Sequence, residues 1–236
     1  MISLLNAGYI PKAKEMTTID NWQFFFPEDP PMPPTTNITY PTTLKSESGI
    51  FRLDERGYVY NFEPTADNPF VEETVSVKSN YHFETTTSIK TFIVPEGVKG
   101  FVHNFLYRVR VLERFELPQG LQSIGTNSSD LMNAESCVFA NCILPTVKLP
   151  DTLQEIGIFA FGHTHIEALF IPESLKSPYG RQFKDSYIGT LYLPKAWEGN
   201  AYLDKYGSLE TPFNNFGEER GWLRWYSTKI GALKFY

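Results

Sequence analysis

Five short stretches hold their apolar residues in one frame: IKTFIVP at 89–95, LERFELP at 112–118, LPTVKLP at 144–150, IEALFIP at 166–172 and IGTLYLP at 188–194. Each reads apolar, two free positions, apolar, one free position, apolar, proline. The closing residues Pro95, Pro118, Pro150, Pro172 and Pro194 are 23, 32, 22 and 22 residues apart. The frame continues beyond each proline. Three residues on stand Val98, Leu121, Leu153, Leu175 and Trp197, and three further on Phe101, Ile124 and Ile156, with Pro178 breaking the series. Later in each unit comes a large apolar residue (Leu106, Phe139, Phe161, Phe183), then a small or medium one (Val109, Cys142, Thr164, Ser186). The long step carries its extra residues between Thr126 and Ser136.

One such unit cannot bury its own apolar face, but stacked units cover one another and share a continuous core. The short strand before each proline is expected to pair with that of the next coil. Proline, with no N–H for the ladder, then ends the strand. The pattern therefore predicts a mainly β fold with short helical turns.

These residues resemble the BspA-like leucine-rich repeats of bacteria. LPDTLQEIGIFAF at 149–161 and LPQGLQSIG at 117–125 lie close to that family's pattern, and Cys142 takes its cysteine position. LYLPK at 191–195, with Tyr202 and Trp222 beyond, is similar to the segment that closes such arrays. The resemblance spans residues 89–222 and leaves out residues 1–70. At Phe101 and again at 177–179 the chain departs from the Ile-Gly step, so those coils are expected to be distorted but still stacked. The resemblance implies a leucine-rich-repeat solenoid of about 4–5 coils with non-repeat caps at both ends. It also implies a non-catalytic scaffold for protein or surface recognition, as in the family's adhesion proteins.

The flanks divide the chain further. Residues 1–47 read as an extended arm rich in aromatics and proline, with Trp22, Phe24, Phe25 and Phe26 crowded together before a proline run. Proline runs favour an open polyproline backbone, while so many rings must pack on something, either the chain's own first coil or another subunit. Residues 48–88 read as an N-terminal cap region, with a hairpin at 50–62 turning at 54–57. The repeats occupy 89–199, and 200–236 forms a C-terminal cap whose last sixteen residues suit one or two strands.

The net charge of −6 argues against nucleic acid, since Arg108, Arg110 and Arg114 are too few to form a phosphate-binding patch. No stretch is long and apolar enough for a membrane helix. The opening MISLLNAG lacks the basic start of a secretory signal, which points to the cytoplasm or an assembled particle, or to the cell surface if a leader is missing. Cys137 and Cys142 make no disulfide framework. No phosphate loop, nucleophile elbow or zinc cysteine pair is present. His163 and His165, with Glu155 or Glu167, form the best metal arrangement, but they sit at an expected coil corner and read as solvent-facing polar residues. Cys142 fills a repeated core position and does not read as a nucleophile. No catalytic residue, metal or cofactor is expected.

If the strand apolar residues point inward, the residue two before each proline points outward. That row is Ile93, Glu116, Lys148, Phe170 and Tyr192, flanked by Arg114, Thr146, Ala168 and Thr190. Glu116 and Lys148 are placed to pair across coils. Phe170 and Tyr192 are either a strand-stabilising pair or part of an interface. The expected function is non-enzymatic protein–protein interaction or assembly, for instance within a bacterial or phage particle. The alternative is a cell-surface adhesin or glycan-binding module.

Overall fold

The computed structural model describes residues 42–73, 86–125, 136–175, 182–199, 202–203, 209–212, 222–224 and 228–236, and the architecture below is that of these residues. Sixteen strands follow one another: β1 Thr43–Lys45, β2 Gly49–Leu53, β3 Tyr58–Pro64, β4 Val71–Glu73, β5 Thr86–Ile93, β6 Gly100–Phe101, β7 Val109–Glu116 and β8 Ser123–Ile124 in the first half. The second half adds β9 Ile143–Lys148, β10 Glu155–Ile156, β11 His165–Phe170, β12 Tyr187–Leu193, β13 Tyr202–Leu203, β14 Leu209–Pro212, β15 Trp222–Arg224 and β16 Lys229–Phe235.

The main sheet runs β16-β12-β11-β9-β7-β5-β4, and every pairing from β5 to β16 is parallel. The repeat dictates this arrangement. Ile166 lies opposite Leu144 and Ile188, and Leu169 opposite Val147 and Leu191, so equivalent frame positions stack. All six of these residues are fully buried, while Glu167 and Lys148 are exposed. A second, shorter ladder forms after the prolines. Lys99 O accepts from Gln122 N, and Gln122 O accepts from Gln154 N, which stacks β6, β8 and β10. The apolar side chains between the two ladders form one continuous core that includes Phe101, Ile124, Ile156, Phe139 and Phe161. Phe101, where the Ile-Gly step is absent, keeps a fully buried place in it.

Two expectations are corrected in the strands. In the second unit Val111, not Leu112, takes the inward position: Val111 lies opposite Ile89, and Leu112 is 45% exposed. The register shifts between Ile89 and Thr91, a bulge of one extra residue on β7. That extra residue accounts for the one 23-residue step among the 22-residue ones. At the far end, residues 229–235 do not merely seal the stack. β16 pairs with β12 in parallel, Ile230 opposite Ile188 and Leu233 opposite Leu191, as a further strand of the same sheet. It carries the same apolar spacing but ends in Tyr236 where the others have proline.

Short helical turns are also largely replaced. The described residues contain no α-helix and one 3-10 turn, Lys195–Trp197. The segments between the ladders are instead turns flanked by residues in the left-handed region, in pairs four apart: Asn104 and Arg108, Cys137 and Asn141, Phe159 and His163. Some of their N–H groups close tight turns, as Ala140 N does on Cys137 O and Gly162 N on Phe159 O, but others bond to the next unit: Leu106 N to Val138 O, Phe139 N to Ala160 O, Phe161 N to Gln182 O. A helix would have used those donors internally.

The position read as small or medium is apolar in the first unit, at Val109, and carries a hydrogen-bond donor in the later ones. Cys142 Sγ donates to Leu106 O (2.9 Å), Thr164 Oγ1 to Phe139 O (2.8 Å), Ser186 Oγ to Phe161 O (2.6 Å) and Thr228 Oγ1 to Phe183 O (2.5 Å). Each donor is buried and satisfies a buried carbonyl of the preceding turn.

At the N-terminal side β2 and β3 pair antiparallel, with β1 on one flank and β6 on the other. Two buried polar side chains from this region close the edge of β5 beyond β4. Asn68 accepts from Thr91 N and donates to Thr91 O, while Ser48 Oγ accepts from Ile93 N and donates to Ile93 O. They stand in for a missing neighbour strand, whose absence would leave exposed pairing groups.

Candidate binding face

The two free positions between inward residues put two outward side chains in succession on each main strand. β11 shows this directly: His165, Glu167, Ala168 and Phe170 are outward, and Ile166 and Leu169 are buried. Stacking then builds rows across the sheet. One row joins Lys148, Phe170, Tyr192 and Lys234. A second joins Thr146, Ala168, Thr190 and Ala232. A third, at the other end of the strands, joins Ile143, His165, Tyr187 and Lys229.

In the first row the rings of Phe170 and Tyr192 are stacked, with centroids 4.1 Å apart and planes 5° from parallel. Lys148 Nζ stands 5.4 Å from the Phe170 centroid, and Lys234 Nζ 5.6 Å from that of Tyr192. The row is thus a cation–ring–ring–cation ladder, each ammonium held by the negative face of a ring. Tyr236 meets Phe170 edge-on at 5.8 Å, and its hydroxyl donates to Ile171 O. Burial, with Asp151 and Glu173 nearby, pushes its phenol pKa up. In the third row His165 stacks on Tyr187 at 4.8 Å. Burial pulls the His165 pKa down against the opposing pull of Glu167, so the ring is neutral at pH 7.

The other half of the face is built differently. Arg114 bonds Glu116 at 2.8 Å and Glu47 at 2.5 Å, so Glu116 pairs within its own strand and not with Lys148 as the register alone suggested. The bulge on β7 and Pro145 on β9 interrupt the ladder, which pairs only Arg110 with Ile143. Proline offers no N–H there. An open depression results, lined by Glu113, Arg114, Glu116, Gln119, Thr146 and Lys148. Ile93, at the end of the row, is half-buried beside Ser46 and Ser48.

Of the residues read from the sequence, Lys148, Phe170 and Tyr192 come together, Arg114 and Glu116 border the depression, and Ile93 stands apart. Trp22, Phe24, Phe25 and Phe26 lie outside the described residues, as do Pro178 and the insertion. Lys234, Tyr187 and the His165–Tyr187 pair were missed. The signal for Lys234 is the apolar spacing of 230–235, which matches the other strands but lacks their closing proline. His163 and His165 do not converge on one point: His163 stacks on Phe159 and His165 on Tyr187. Among the described residues no three metal-ligating side chains cluster. Burial pushes the Cys142 thiol up to about 12, and its Sγ–H is spent on Leu106 O.

Parallel strands recurring at 22-residue intervals, two stacked ladders and a repeated turn define a leucine-rich-repeat protein. Residues 64–130 and 128–202 match the BspA type leucine rich repeat region in six copies, more than half of the chain, and the chain belongs to that family. The family is one of interaction and adhesion modules and is generally not enzymatic. No curated protein and no solved structure matches the chain. Among the described residues no helix is long and apolar enough to cross a membrane.

Proposed function

We infer that the protein is a non-catalytic interaction and assembly component. Its repeats form a solenoid that presents the outward sheet face, and its arm at 1–47 supplies a second contact. The observation that carries this reading is the Lys148–Phe170–Tyr192–Lys234 ladder. The two rings stand partly exposed on a rigid face, where aromatic side chains are enriched at protein interfaces. Arg114 and Glu116 form the rim of this surface, with Ile93 at its edge. The crowded Trp22, Phe24, Phe25 and Phe26 suit docking on a neighbouring subunit, and a structural place in a bacterial or phage particle is one form such a role takes.

The test uses the full chain, a chain starting at Thr43 and a Phe170→Ser/Tyr192→Ser variant as baits in lysate of the source, with mass spectrometry of what co-purifies. A defined partner lost by the face variant supports the face, and one lost only by the shortened chain supports the arm. Retention of the same partners at equal levels by all three overturns the reading.

A further inference from the structure

Charge is sorted across the main sheet. On the β4–β7 side the ions pair with one another: Arg110 with Glu73 at 3.4 Å, Lys90 with Glu113 at 3.8 Å, and Arg114 with Glu47 and Glu116. On the β9–β16 side Lys148, Lys229 and Lys234 are exposed. Among the described residues none of the three makes an ion pair. The four strands carry one carboxylate, Glu167, and His165 is neutral. This half of the face is therefore positive on a chain whose formal net charge is −6.

The ring geometry narrows what can bind there. A sugar stacks on a ring face, and these faces are taken. Phe170 lies between Tyr192 and Lys148, and Tyr192 lies between Phe170 and Lys234. What the ladder offers outward is ring edges, whose hydrogens carry partial positive charge, beside two ammonium groups. Both favour anionic oxygen. The adjoining row of Thr146, Ala168, Thr190 and Ala232 is small, leaving room for a backbone to pass. Asp151 and Glu173 beyond the strands, close enough to act on Tyr236, would repel an acid displaced toward the turns.

We propose that this half of the face docks an extended acidic segment of a partner protein, laid across the strands with carboxylates on Lys148 and Lys234. This rests on the reading of the sheet face as the binding surface. β9 and β16 are three strand steps apart, about 14 Å at about 4.8 Å per step. An extended chain advances about 3.3 Å per residue with alternate side chains on one side, so the two acids stand four residues apart.

The probe is the labelled peptide GTETVTETG, compared by fluorescence anisotropy with its Gln counterpart and with a peptide whose two acids are adjacent. The protein is the full chain, alone and as K148Q, K234Q and the double variant, each checked by circular dichroism. The spaced-acid peptide is expected to bind at least about tenfold more tightly than the Gln peptide and to weaken as salt rises. Each single variant should lower affinity several-fold and flatten the salt dependence. Equal binding of the Glu and Gln peptides, no binding of the Glu peptide up to about 1 mM, or wild-type affinity in the double variant overturns the proposal. So does a heparin fragment that binds through the same lysines where the peptide does not. If the peptide fails while partner capture still depends on Phe170 and Tyr192, the acidic ligand falls and the face remains.

Discussion

Ser186 is a one-atom test of what holds the coils in register. It is buried, and its Oγ donates to Phe161 O at 2.6 Å, with Lys184 O as a longer second acceptor at 3.4 Å, and accepts from Thr164 N at 3.1 Å. Ser186→Ala removes one oxygen and leaves a carbonyl and an N–H without that partner, in a place closed to water. An orphaned buried group costs about 1–3 kcal/mol, so two cost roughly 2–4 kcal/mol after partial relaxation. Ser186→Thr keeps the donor, and the equivalent Thr164 and Thr228 show that the position accepts threonine. That variant should therefore stay within about 1 kcal/mol of the parent. Urea unfolding followed by circular dichroism and tryptophan fluorescence measures both changes, provided the m values agree. Exchange of the Thr164 amide should also quicken in the alanine variant alone. If the position only selects for small side chains, Ser186→Ala will be neutral or stabilising. A loss under about 0.5 kcal/mol, with an unchanged Thr164 amide, would refute the hydrogen-bond argument.

Two further outcomes follow from the sheet. A Cβ at Gly189 would sit 2.6 Å from Glu167 O, a backbone atom of the paired strand, so Gly189→Ala should destabilise by about 1–3 kcal/mol, whereas Thr190→Ala next to it should cost less; equal thermal midpoints for the two would contradict the close approach. Burial lowers the folded pKa of His165 below its unfolded value near 6.5, so the stability carried by the neutral ring is whole above that pH and is lost as pH falls through the folded value. Between pH 7 and 5 the parent should lose more stability than His165→Gln, and parallel pH profiles would show that the ring is not desolvated.

The repeat was legible because the physics behind it is local and periodic. Inward positions such as Ile166, Leu169, Ile188 and Leu191 must be apolar in every coil, so their spacing survives in the sequence. The outward places of Lys148, Phe170 and Tyr192 follow from the same frame. Parallel pairing of repeated strands then follows, because equivalent residues stack only when successive coils run the same way.

Other features were settled by contacts between coils. Val111 displaced Leu112 because of a bulge on β7: the 23-residue step shows that a residue is added, but only the pairing of Val111 with Ile89 shows where. Cys142, Thr164, Ser186 and Thr228 share a donor rather than a size, which shows only once the carbonyl of the preceding turn is in place. β16 joined the sheet without a proline after it, because Ile230 and Leu233 stack on Ile188 and Leu191 of β12, a match that the closing proline does not mark. The charges of Arg114 and Glu116 were spent locally, while Lys148 and Lys234 came to rest on rings. The sequence determined which residues face the core and which face out, since burial is written residue by residue. The tertiary structure decided which outward residues meet, since that depends on where separate coils, a bulge and the last strand bring them.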